Sequence, residues 1–235
     1  PIYFMGDDIH YASNHDFVVI EFSIHGMLDG RVRVGMPGKF NADNALAALA
    51  VCTLALSGGS GVLDDHTKQA ILGSLVKVRV DGSMEIAHVS KKCSVIVDYA
   101  NNAVSMESLL TTLRDYHPKR LVCVFGCGGN RARDRRYSMG EIGGKMADLC
   151  IITADNPRFE KNEDIIKDIE VGLAKTYGTY LVIPDRREAI FYAIRNAEEG
   201  DMIAIIGKGH EDYQEIEGVK HHFLDREVVE EAVKG

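Results

Sequence analysis

Long hydrophobic runs are missing from this sequence. Of its 235 residues 46% are hydrophobic, yet no apolar run reaches the roughly 18 residues that a membrane-spanning helix requires. No signal-peptide pattern precedes the first strand-like segment. We therefore expect a soluble chain with no membrane partner. Its apolar content is sufficient for a packed core, and the chain is longer than one compact domain needs.

An excess of positive charge is also missing, which argues against nucleic acid as a partner. The formal net charge is −8, and no block of like charges gives the chain the electrostatic footprint of a nucleic-acid-binding protein. A local exception places four arginines within six residues: Arg131, Arg133, Arg135 and Arg136. Taken alone, this cluster fits the solvated start of a helix as well as it fits a binding site.

Paired cysteines are absent as well. The five cysteines form no C-x-x-C pair and lie scattered through apolar segments: Cys52, Cys93, Cys123, Cys127 and Cys150. A cysteine in such a segment is usually a small buried hydrophobe, and this spacing supports neither a metal site nor a disulfide framework. We therefore expect a reducing, cytoplasmic setting and no metal ligands in this chain.

Two secondary-structure patterns follow one another along the chain. The first part, to about residue 78, holds two strand-like runs and then two helix-like runs: residues 16–23, 29–35, 41–57 and 64–75. From residue 84 onward, short apolar strands alternate with amphipathic helices. This alternation predicts an α/β fold with a mostly parallel sheet covered on both faces.

The second part contains enough signals to place individual elements. Six strands are predicted at residues 84–90, 94–98, 120–125, 149–153, 179–183 and 201–206. Four helices are predicted at residues 104–116, 137–147, 162–176 and 186–197. Residues 212–223 resemble a hairpin that turns at Glu217 and Gly218, and Asp225 is predicted to cap a final helix.

Polar and glycine-rich segments follow four of these strands. Ligands of an open α/β sheet bind outside the carboxyl ends of its strands, and four segments occupy that position: residues 98–101, 126–131, 155–158 and 207–211. Any one of them alone fits an ordinary turn, because Gly, Asn, Asp and Pro dominate turns. Four at one edge of a single sheet predict a ligand site.

The side chains of these segments suit a zwitterionic ligand. Arg131 and Arg158 can each grip a carboxylate through two parallel hydrogen bonds, and Glu211 is suited to an ammonium group. Glycine-rich loops also let backbone N–H groups approach an anion. The set therefore predicts an amino acid as the ligand. The chain contains no G-x-x-x-x-G-K-[ST] loop to hold a polyphosphate.

Three motifs resemble those of the Mur ligase family: GCGGNR at 126–131, DNPR at 155–158 and GKGHEDYQ at 207–214. The resemblance extends from about Phe40 to the end of the chain. It implies the remnant of a central ATPase domain at residues 1–78 and a complete Rossmann-like C-terminal domain at residues 79–235. Within the family, DNPR is similar to the form that selects meso-diaminopimelate over L-lysine, because its arginine meets the distal carboxylate that lysine lacks.

The resemblance also implies which residues form the site. Meso-diaminopimelate would be bound by seven residues: Arg131, Asn156, Pro157, Arg158, Phe159, Gly207 and Glu211. The nucleotide side would comprise Asn41, Asn44, Asp98 and Asn101, with Asn44 approaching the adenine. No residue of this chain is implied as a catalytic group.

The reaction implied by the resemblance is ATP-dependent amide formation in peptidoglycan precursor synthesis. It joins meso-diaminopimelate to UDP-N-acetylmuramoyl-L-alanyl-D-glutamate, with ATP and Mg²⁺ as cofactors of a full-length parent. The partners implied are these small molecules, and we expect a monomer. The sequence lacks the phosphate-binding loop and the carbamylated lysine of the family, so we expect a trimmed fragment that is inactive by itself.

Four residues on the nucleotide side differ from the family pattern. The family has Arg, His, Pro and an acidic residue where this chain has Ser83, Asn101, Ala103 and Ala132. These differences favour an alternative hypothesis, a non-catalytic ligase-derived module that binds an amino acid or regulates a partner. A relative of folylpolyglutamate synthetase would share the architecture, but it is not expected to carry DNPR or GKGHEDYQ in this form.

Overall fold

The computed structural model describes residues 4–13, 18–38 and 40–235. The chain divides into two compact units, the first ending at Arg79 and the second beginning at Val80, and each is described by itself. The assignment of the first unit as the remnant of an ATPase domain stays a prediction. No helix within the described ranges has both the length and the apolar character needed to cross a bilayer.

The first unit is a three-stranded antiparallel sheet with two helices. Its strands pair in the order β1-β2-β3, and its elements are β1 (Phe4–Ser13), β2 (Val18–Gly26), β3 (Gly30–Val34), α1 (Phe40–Leu56) and α2 (Asp65–Ser74). Alternate side chains of β2 point to the same face of the sheet. Ile20, Phe22 and Ile24 lie on that face and are buried in the core of the unit.

Strand β1 is missing from the sequence-based prediction, which is wrong at this point. Its pairing with β2 shifts register between Asp7 and His10, and Asp8 has a positive φ of 53°. An irregularity of this kind interrupts the alternation by which a strand is recognised. The strand predicted at residues 16–23 corresponds to β2, although residues 16 and 17 lie outside the described ranges.

The second unit is built on a six-stranded sheet with the order β4-β5-β9-β6-β7-β8. Strand β4 runs antiparallel to β5, and the other neighbours are parallel. The strands of this sheet are β4 (Glu85–Val89), β5 (Cys93–Asp98), β6 (Arg120–Phe125), β7 (Leu149–Ile152), β8 (Tyr180–Val182) and β9 (Asp201–Ile206). The helices are α3 (Ala103–Arg114), α4 (Asp134–Met146), α5 (Asn162–Leu173), α6 (Arg186–Arg195) and α7 (Asp225–Lys234).

Apolar side chains cover both faces of this sheet. Helices α3, α4 and α5 pack on one face through residues such as Met106, Met139 and Ile165. Helices α6 and α7 pack on the other face, where Ile190 and Val229 are fully or almost fully buried. Strands buried on both sides require continuous apolar sequences. The predicted α/β fold with a mostly parallel sheet is therefore confirmed.

Helices α4 and α5 approach each other closely because glycines lie at their crossing. A Cβ atom at Gly140 would lie 2.1 Å from the carbonyl oxygen of Ile169, and one at Gly172 would lie 2.0 Å from that of Tyr137. Only glycine fits such an approach of one backbone to another. The first half of α4 is thereby held beside α5.

The hairpin at the end of the chain is confirmed. Strands β10 (Tyr213–Ile216) and β11 (Val219–His222) pair antiparallel. Glu217 and Gly218 connect them with φ angles of 51° and 78°. Positive φ at both positions is the conformation of a two-residue hairpin turn.

Two sequence-based interpretations are corrected by distant charged partners. Asp225 is the first residue of α7 and not its cap; the cap position is Leu224, and the Asp225 carboxylate instead pairs with Arg186, both side chains being fully buried. The arginine cluster is not simply solvated either. Arg136 is 1% exposed and pairs with Asp168 on α5 and with Glu160 in the loop between β7 and α5.

Candidate functional site

Four loops meet at one edge of the six-stranded sheet. They follow β5, β6, β7 and β9, which are parallel neighbours, so their carboxyl ends face the same side. A cleft of about 520 Å³ lies among them, lined by Tyr99, Asn101, Gly126, Cys127, Gly128, Arg131, Arg135, Asp155, Asn156, Arg158, Gly207, Glu211 and Tyr213. Five of the seven residues that the sequence assigns to an amino-acid ligand are brought together here.

Two arginines of the cleft have uncommitted guanidinium groups. Arg131 is exposed and Arg135 is half-buried. Neither side chain forms a hydrogen bond or an ion pair with any residue in the described part of the chain. A free guanidinium can bind a carboxylate through two parallel hydrogen bonds. The sequence predicts Arg131 in this role, whereas it indicates Arg135 only as a member of the arginine cluster.

Arg158 is partly committed within the protein. Its Nη1 donates to the carbonyl oxygen of Gly129 at 2.9 Å, and its Nε lies 3.3 Å from the Glu215 carboxylate. Its backbone has a positive φ of 53°, which is uncommon outside glycine. Nη2 is the nitrogen left for a ligand. The hairpin thus brings Glu215 to one side of the predicted fork, and the binding of a carboxylate by Arg158 stays a prediction.

The acidic wall of the cleft is a hydrogen-bonded network around Glu211. Asn156 Nδ2 donates to Glu211 Oε2 at 2.8 Å, and the Tyr99 hydroxyl donates to Oε1 at 3.3 Å. Beneath them the fully buried Lys208 has its Nζ 3.4 Å from Oε2 and donates to the carbonyl oxygen of Tyr213. Burial lowers the pKa of Lys208. Sequence reasoning overlooked Lys208, since a lysine between two glycines usually lies in an exposed turn.

Asp155 adds a second carboxylate, which the sequence-based assignment omitted. It is 7% exposed, and its Oδ1 accepts from the backbone N–H of Asn156 at 2.6 Å. Its Oδ2 accepts no hydrogen bond from any described residue. Burial raises the pKa of Asp155, although the charges of Arg186 and Lys208 oppose that rise. A Cβ at Gly207 would lie 2.6 Å from Oδ2, so the glycine leaves this oxygen accessible.

Cys127 lines the cleft without qualifying as a nucleophile. It is 4% exposed, and burial raises its pKa to about 12. A thiol reacts through its thiolate, which is not populated at neutral pH when the pKa is this high. The interpretation of the cysteines as small buried hydrophobes holds for this residue, while Cys52 in the first unit is exposed.

Two predicted ligand residues do not line this cleft. Pro157 and Phe159 line a neighbouring cleft of about 580 Å³, and the Phe159 side chain is 71% exposed. Arg158 contributes to both clefts. The roles assigned to Pro157 and Phe159 stay predictions that the geometry does not support.

The predicted nucleotide residues of the first unit form a local pair. Asn41 is buried, and its Nδ2 donates to the carbonyl oxygen of Pro37 at 2.7 Å. Asn44 is exposed and donates to Asn41 Oδ1 at 3.1 Å. Asn41 thus holds the side chain of Asn44 in place at the start of α1. The side-chain oxygen of Asn44, Oδ1, accepts no hydrogen bond from any described residue.

The predicted nucleotide residues of the second unit differ in availability. Asp98 accepts hydrogen bonds from the backbone N–H groups of Met84 and Ala100, each at 2.7 Å. Burial raises the pKa of Asp98, while these two hydrogen bonds lower it. Both carboxylate oxygens therefore stabilise the end of β5. Asn101 lines the cleft. The binding of a nucleotide by either residue stays a prediction.

Comparison with known proteins decides the family. The family described as Mur ligase, glutamate ligase domain, matches residues 84–209, which is more than half of the chain.

This chain belongs to the Mur ligase family.

Its similar relatives include two proteins named UDP-N-acetylmuramoyl-L-alanyl-D-glutamate–2,6-diaminopimelate ligase. The one from Clostridioides difficile (strain 630) is 42% identical over 200 residues, covering 85% of this chain and 40% of the relative. The one from Aquifex aeolicus (strain VF5) is 39% identical over 241 residues, covering 98% of this chain and 48% of the relative. This Mur ligase chain thus spans less than half the length of these relatives.

Solved structures agree on the architecture. A structure of a ligase with the same name matches with a TM-score of 0.72 and 32% identity, over 98% of this chain and 45% of that one. A folylpolyglutamate synthase from Mycobacterium tuberculosis matches with a TM-score of 0.61 over 87% of this chain and 45% of that one, at 19% identity. The latter likeness shows a shared fold alone.

Proposed function

We propose that this chain is the part of an ATP-dependent ligase that binds meso-diaminopimelate for addition to UDP-N-acetylmuramoyl-L-alanyl-D-glutamate. The names of the most similar relatives state this pair of substrates. The single observation that carries the proposal is the cleft, in which guanidinium groups and carboxylates face a common space. The reaction belongs to peptidoglycan precursor synthesis, and a cytoplasmic setting and a monomeric state are part of the proposal.

The charges of the cleft match those of the amino acid. Meso-diaminopimelate carries two carboxylates and two ammonium groups. Arg131, Arg135 and Nη2 of Arg158 can pair with carboxylate oxygens, and Asp155 and Glu211 can pair with an ammonium group. L-lysine has one carboxylate fewer and would leave a guanidinium desolvated without a partner, which costs binding free energy.

The implied chemistry is activation of a carboxylate followed by attack of an amine. ATP phosphorylates the γ-carboxylate of the D-glutamyl residue, the amine of diaminopimelate attacks the resulting acyl phosphate, and ADP and phosphate leave. Catalysis of this kind depends on positioning and charge neutralisation. The residues of the cleft would bind and orient the amine. None of them is proposed to form a covalent intermediate.

The cofactors differ in how well the described residues fit them. Asn44 offers an exposed amide whose carbonyl oxygen can accept from an adenine amino group. The described residues contain no group of three or more His, Cys, Asp or Glu placed to hold a metal ion. Mg²⁺ is usually held by one or two carboxylates together with substrate phosphates, so the proposal assigns it, with ATP, to the full-length parent.

The proposal is tested by comparing ligands and variants in titrations followed calorimetrically. The wild-type chain should bind meso-diaminopimelate more tightly than L-lysine. Arg158→Ala should weaken the binding of diaminopimelate by about 1.5–3 kcal/mol, roughly 10- to 150-fold, because a charged hydrogen bond is lost. Its effect on lysine should be small.

A matched control separates ligand contact from loop geometry. Glu215→Gln removes the charge that engages Arg158 but keeps the arginine, so the preference for diaminopimelate should be retained or increased. If lysine binds as tightly as diaminopimelate, or if Arg158→Ala keeps the full preference, the assignment of this cleft is wrong.

A second candidate function is a non-catalytic module that binds an amino acid. Ser83 and Asn101 stand where the family has Arg and His, and the carboxylate of Asp98 is engaged by backbone amides. Fusing this chain to the N-terminal domains of a related ligase distinguishes the two candidates. Product formation supports the ligase role, and amino-acid binding without product supports the binding module.

A further inference from the structure

Arg136 is a buried charged residue beneath the cleft, and it is not one of the side chains proposed to contact the ligand. It is the third residue of α4 and is 1% exposed. Its Nη1 donates to Asp168 on α5 at 3.0 Å, and its Nη2 donates to Glu160 at 2.8 Å. Its Nε is buried and has no hydrogen-bond partner among the described residues.

Arg136 contacts the first site loop both directly and through Glu160. Its Nη2 lies 3.5 Å from the carbonyl oxygen of Gly128. Glu160 Oε1, which accepts from Nη2, also accepts from the backbone N–H of Asn130. Gly128 and Asn130 lie three residues and one residue before Arg131, so this guanidinium supports the backbone that presents Arg131.

The second site loop is joined to the first by three further hydrogen bonds. The N–H of Gly129 donates to the carbonyl oxygen of Asn156 at 2.8 Å. Arg158 Nη1 donates to the carbonyl oxygen of Gly129 at 2.9 Å. The N–H of Phe159 donates to Asn130 Oδ1 at 3.2 Å. The loops that carry Arg131 and Arg158 therefore form one hydrogen-bonded layer, with Arg136 beneath it.

The energetics of burial argue against a purely stabilising role for Arg136. A buried ion pair contributes little net stability compared with well-packed apolar side chains, and the unpartnered Nε adds a desolvation cost. A planar guanidinium can however hold an α5 carboxylate, the Glu160 carboxylate and a backbone carbonyl in one fixed arrangement. Ammonium and apolar side chains lack this geometry.

We infer that Arg136 is a positioning residue that sets the spacing of Arg131 and Arg158 for the carboxylates of the ligand. This inference rests on the proposed function, because it concerns the same cleft. Arg136 itself lies below the loops and does not line the cleft. Its effect on binding is therefore transmitted through the backbone of Gly128, Asn130 and the Glu160 side chain.

Arg133 provides a matched control on the same helix end. It makes two hydrogen bonds of 2.9 Å to the same Asp168 carboxylate, but its side chain is 64% exposed and forms no hydrogen bond or ion pair with either loop in the described part of the chain. Arg136→Met and Arg133→Met therefore remove equal charge from the partner Asp168. Only the first removes the support of the loops.

The first measurement is independent of any ligand. Hydrogen exchange of the Gly129 and Asn130 amides in Arg136→Met should be at least about tenfold faster than in Arg133→Met, since losing a charge-assisted hydrogen bond frees the loop to open. Equal exchange rates in the two variants overturn the inference. Arg136→Lys and Glu160→Gln serve the same comparison if the methionine variant does not fold, because they retain a charge or a hydrogen-bonding group.

The second measurement is the ratio of dissociation constants for L-lysine and meso-diaminopimelate. We expect Arg136→Met to reduce this ratio about tenfold while Arg133→Met leaves it unchanged, since a merely structural loss would weaken both ligands alike. A ratio within about twofold of wild type overturns the inference. If the wild type shows no preference, the proposed function fails, and the exchange rates alone still decide whether Arg136 holds the loops.

Discussion

The buried pair of Arg186 and Asp225 gives the strongest prediction about stability. Arg186 Nε and Nη2 donate to the two oxygens of Asp225 at 2.7 and 2.8 Å, and both side chains are 0% exposed. The same guanidinium donates to the carbonyl oxygens of Ala154 at 3.2 Å and Ile206 at 3.1 Å. Ile206 is the last residue of β9 and Ala154 lies two residues after the end of β7, so both carbonyls come directly before site loops.

Replacing Arg186 with methionine leaves a buried carboxylate without a partner. Breaking a buried ion pair from one side typically costs about 3–5 kcal/mol, because the remaining charge stays desolvated. Such a loss is a large part of the roughly 5–15 kcal/mol by which a domain is stable. The double variant Arg186→Met with Asp225→Leu should recover about 2 kcal/mol or more, since no buried charge then remains.

Arg187 supplies the control, because it is the next residue of α6 and forms a solvent-exposed ion pair with Glu231. The two side chains are 46% and 51% exposed, and an exposed pair contributes at most about 1 kcal/mol. Arg187→Met should therefore have little effect. The contrast between neighbouring arginines isolates burial as the cause.

Hydrogen exchange at the amides of β9 is the suitable assay, since it reports the second unit by itself. The predicted loss corresponds to exchange roughly 150- to 5,000-fold faster in Arg186→Met than in wild type. Exchange in Arg187→Met should remain within about fivefold of wild type. If both single variants exchange alike, or if the double variant is less stable than Arg186→Met, the account of this pair is wrong.

Three further predictions concern nucleotide, protons and thiols. Replacing Ser83 with Arg and Asn101 with His should strengthen ADP binding by about tenfold or more per restored contact, and calorimetry that shows no gain would mean these positions are misassigned. The carboxyl group of Asp98 should titrate above the ordinary aspartate value, because burial raises its pKa. Asp168 should titrate below that value, because hydrogen bonds from two arginines outweigh the effect of burial and lower its pKa. The stabilisation from Asp168 is thus fully present above about pH 4 and is lost as the pH falls through its folded pKa, which carboxyl NMR shifts and acid unfolding can check. In the folded protein a thiol reagent should modify Cys52 alone among the five cysteines, because the other four are buried; mass spectrometry that finds a second site would contradict this.

The sequence predicts the second unit well because its signals are local. Strands β5, β6 and β9 are continuous apolar runs, and buried parallel strands need no alternation to be recognised. The hairpin turn is equally local, since Glu217 and Gly218 alone specify its conformation. The four site loops all follow the carboxyl ends of parallel strands, and this position alone predicts that they meet.

The failures come from partners that lie far apart in the chain. Asp225 has the local pattern of a helix cap, but Arg186, 39 residues earlier, competes for its carboxylate. The local sequence around Arg158 likewise does not show that Glu215 of the hairpin lies beside its guanidinium. The burial of Arg136 depends on α5, which follows it by some thirty residues. Pairings of this kind are set by the packed structure and not by local sequence.

The most direct test of the central claim is a map of where meso-diaminopimelate contacts the protein. In amide NMR spectra of the 235-residue chain, titration with diaminopimelate should shift resonances in all four loops, at residues 98–101, 126–131, 155–158 and 207–211. The same concentration of L-lysine should produce smaller shifts, because one carboxylate is missing. Shifts confined to other surfaces, or equal shifts with the two amino acids, would contradict the assignment of the cleft.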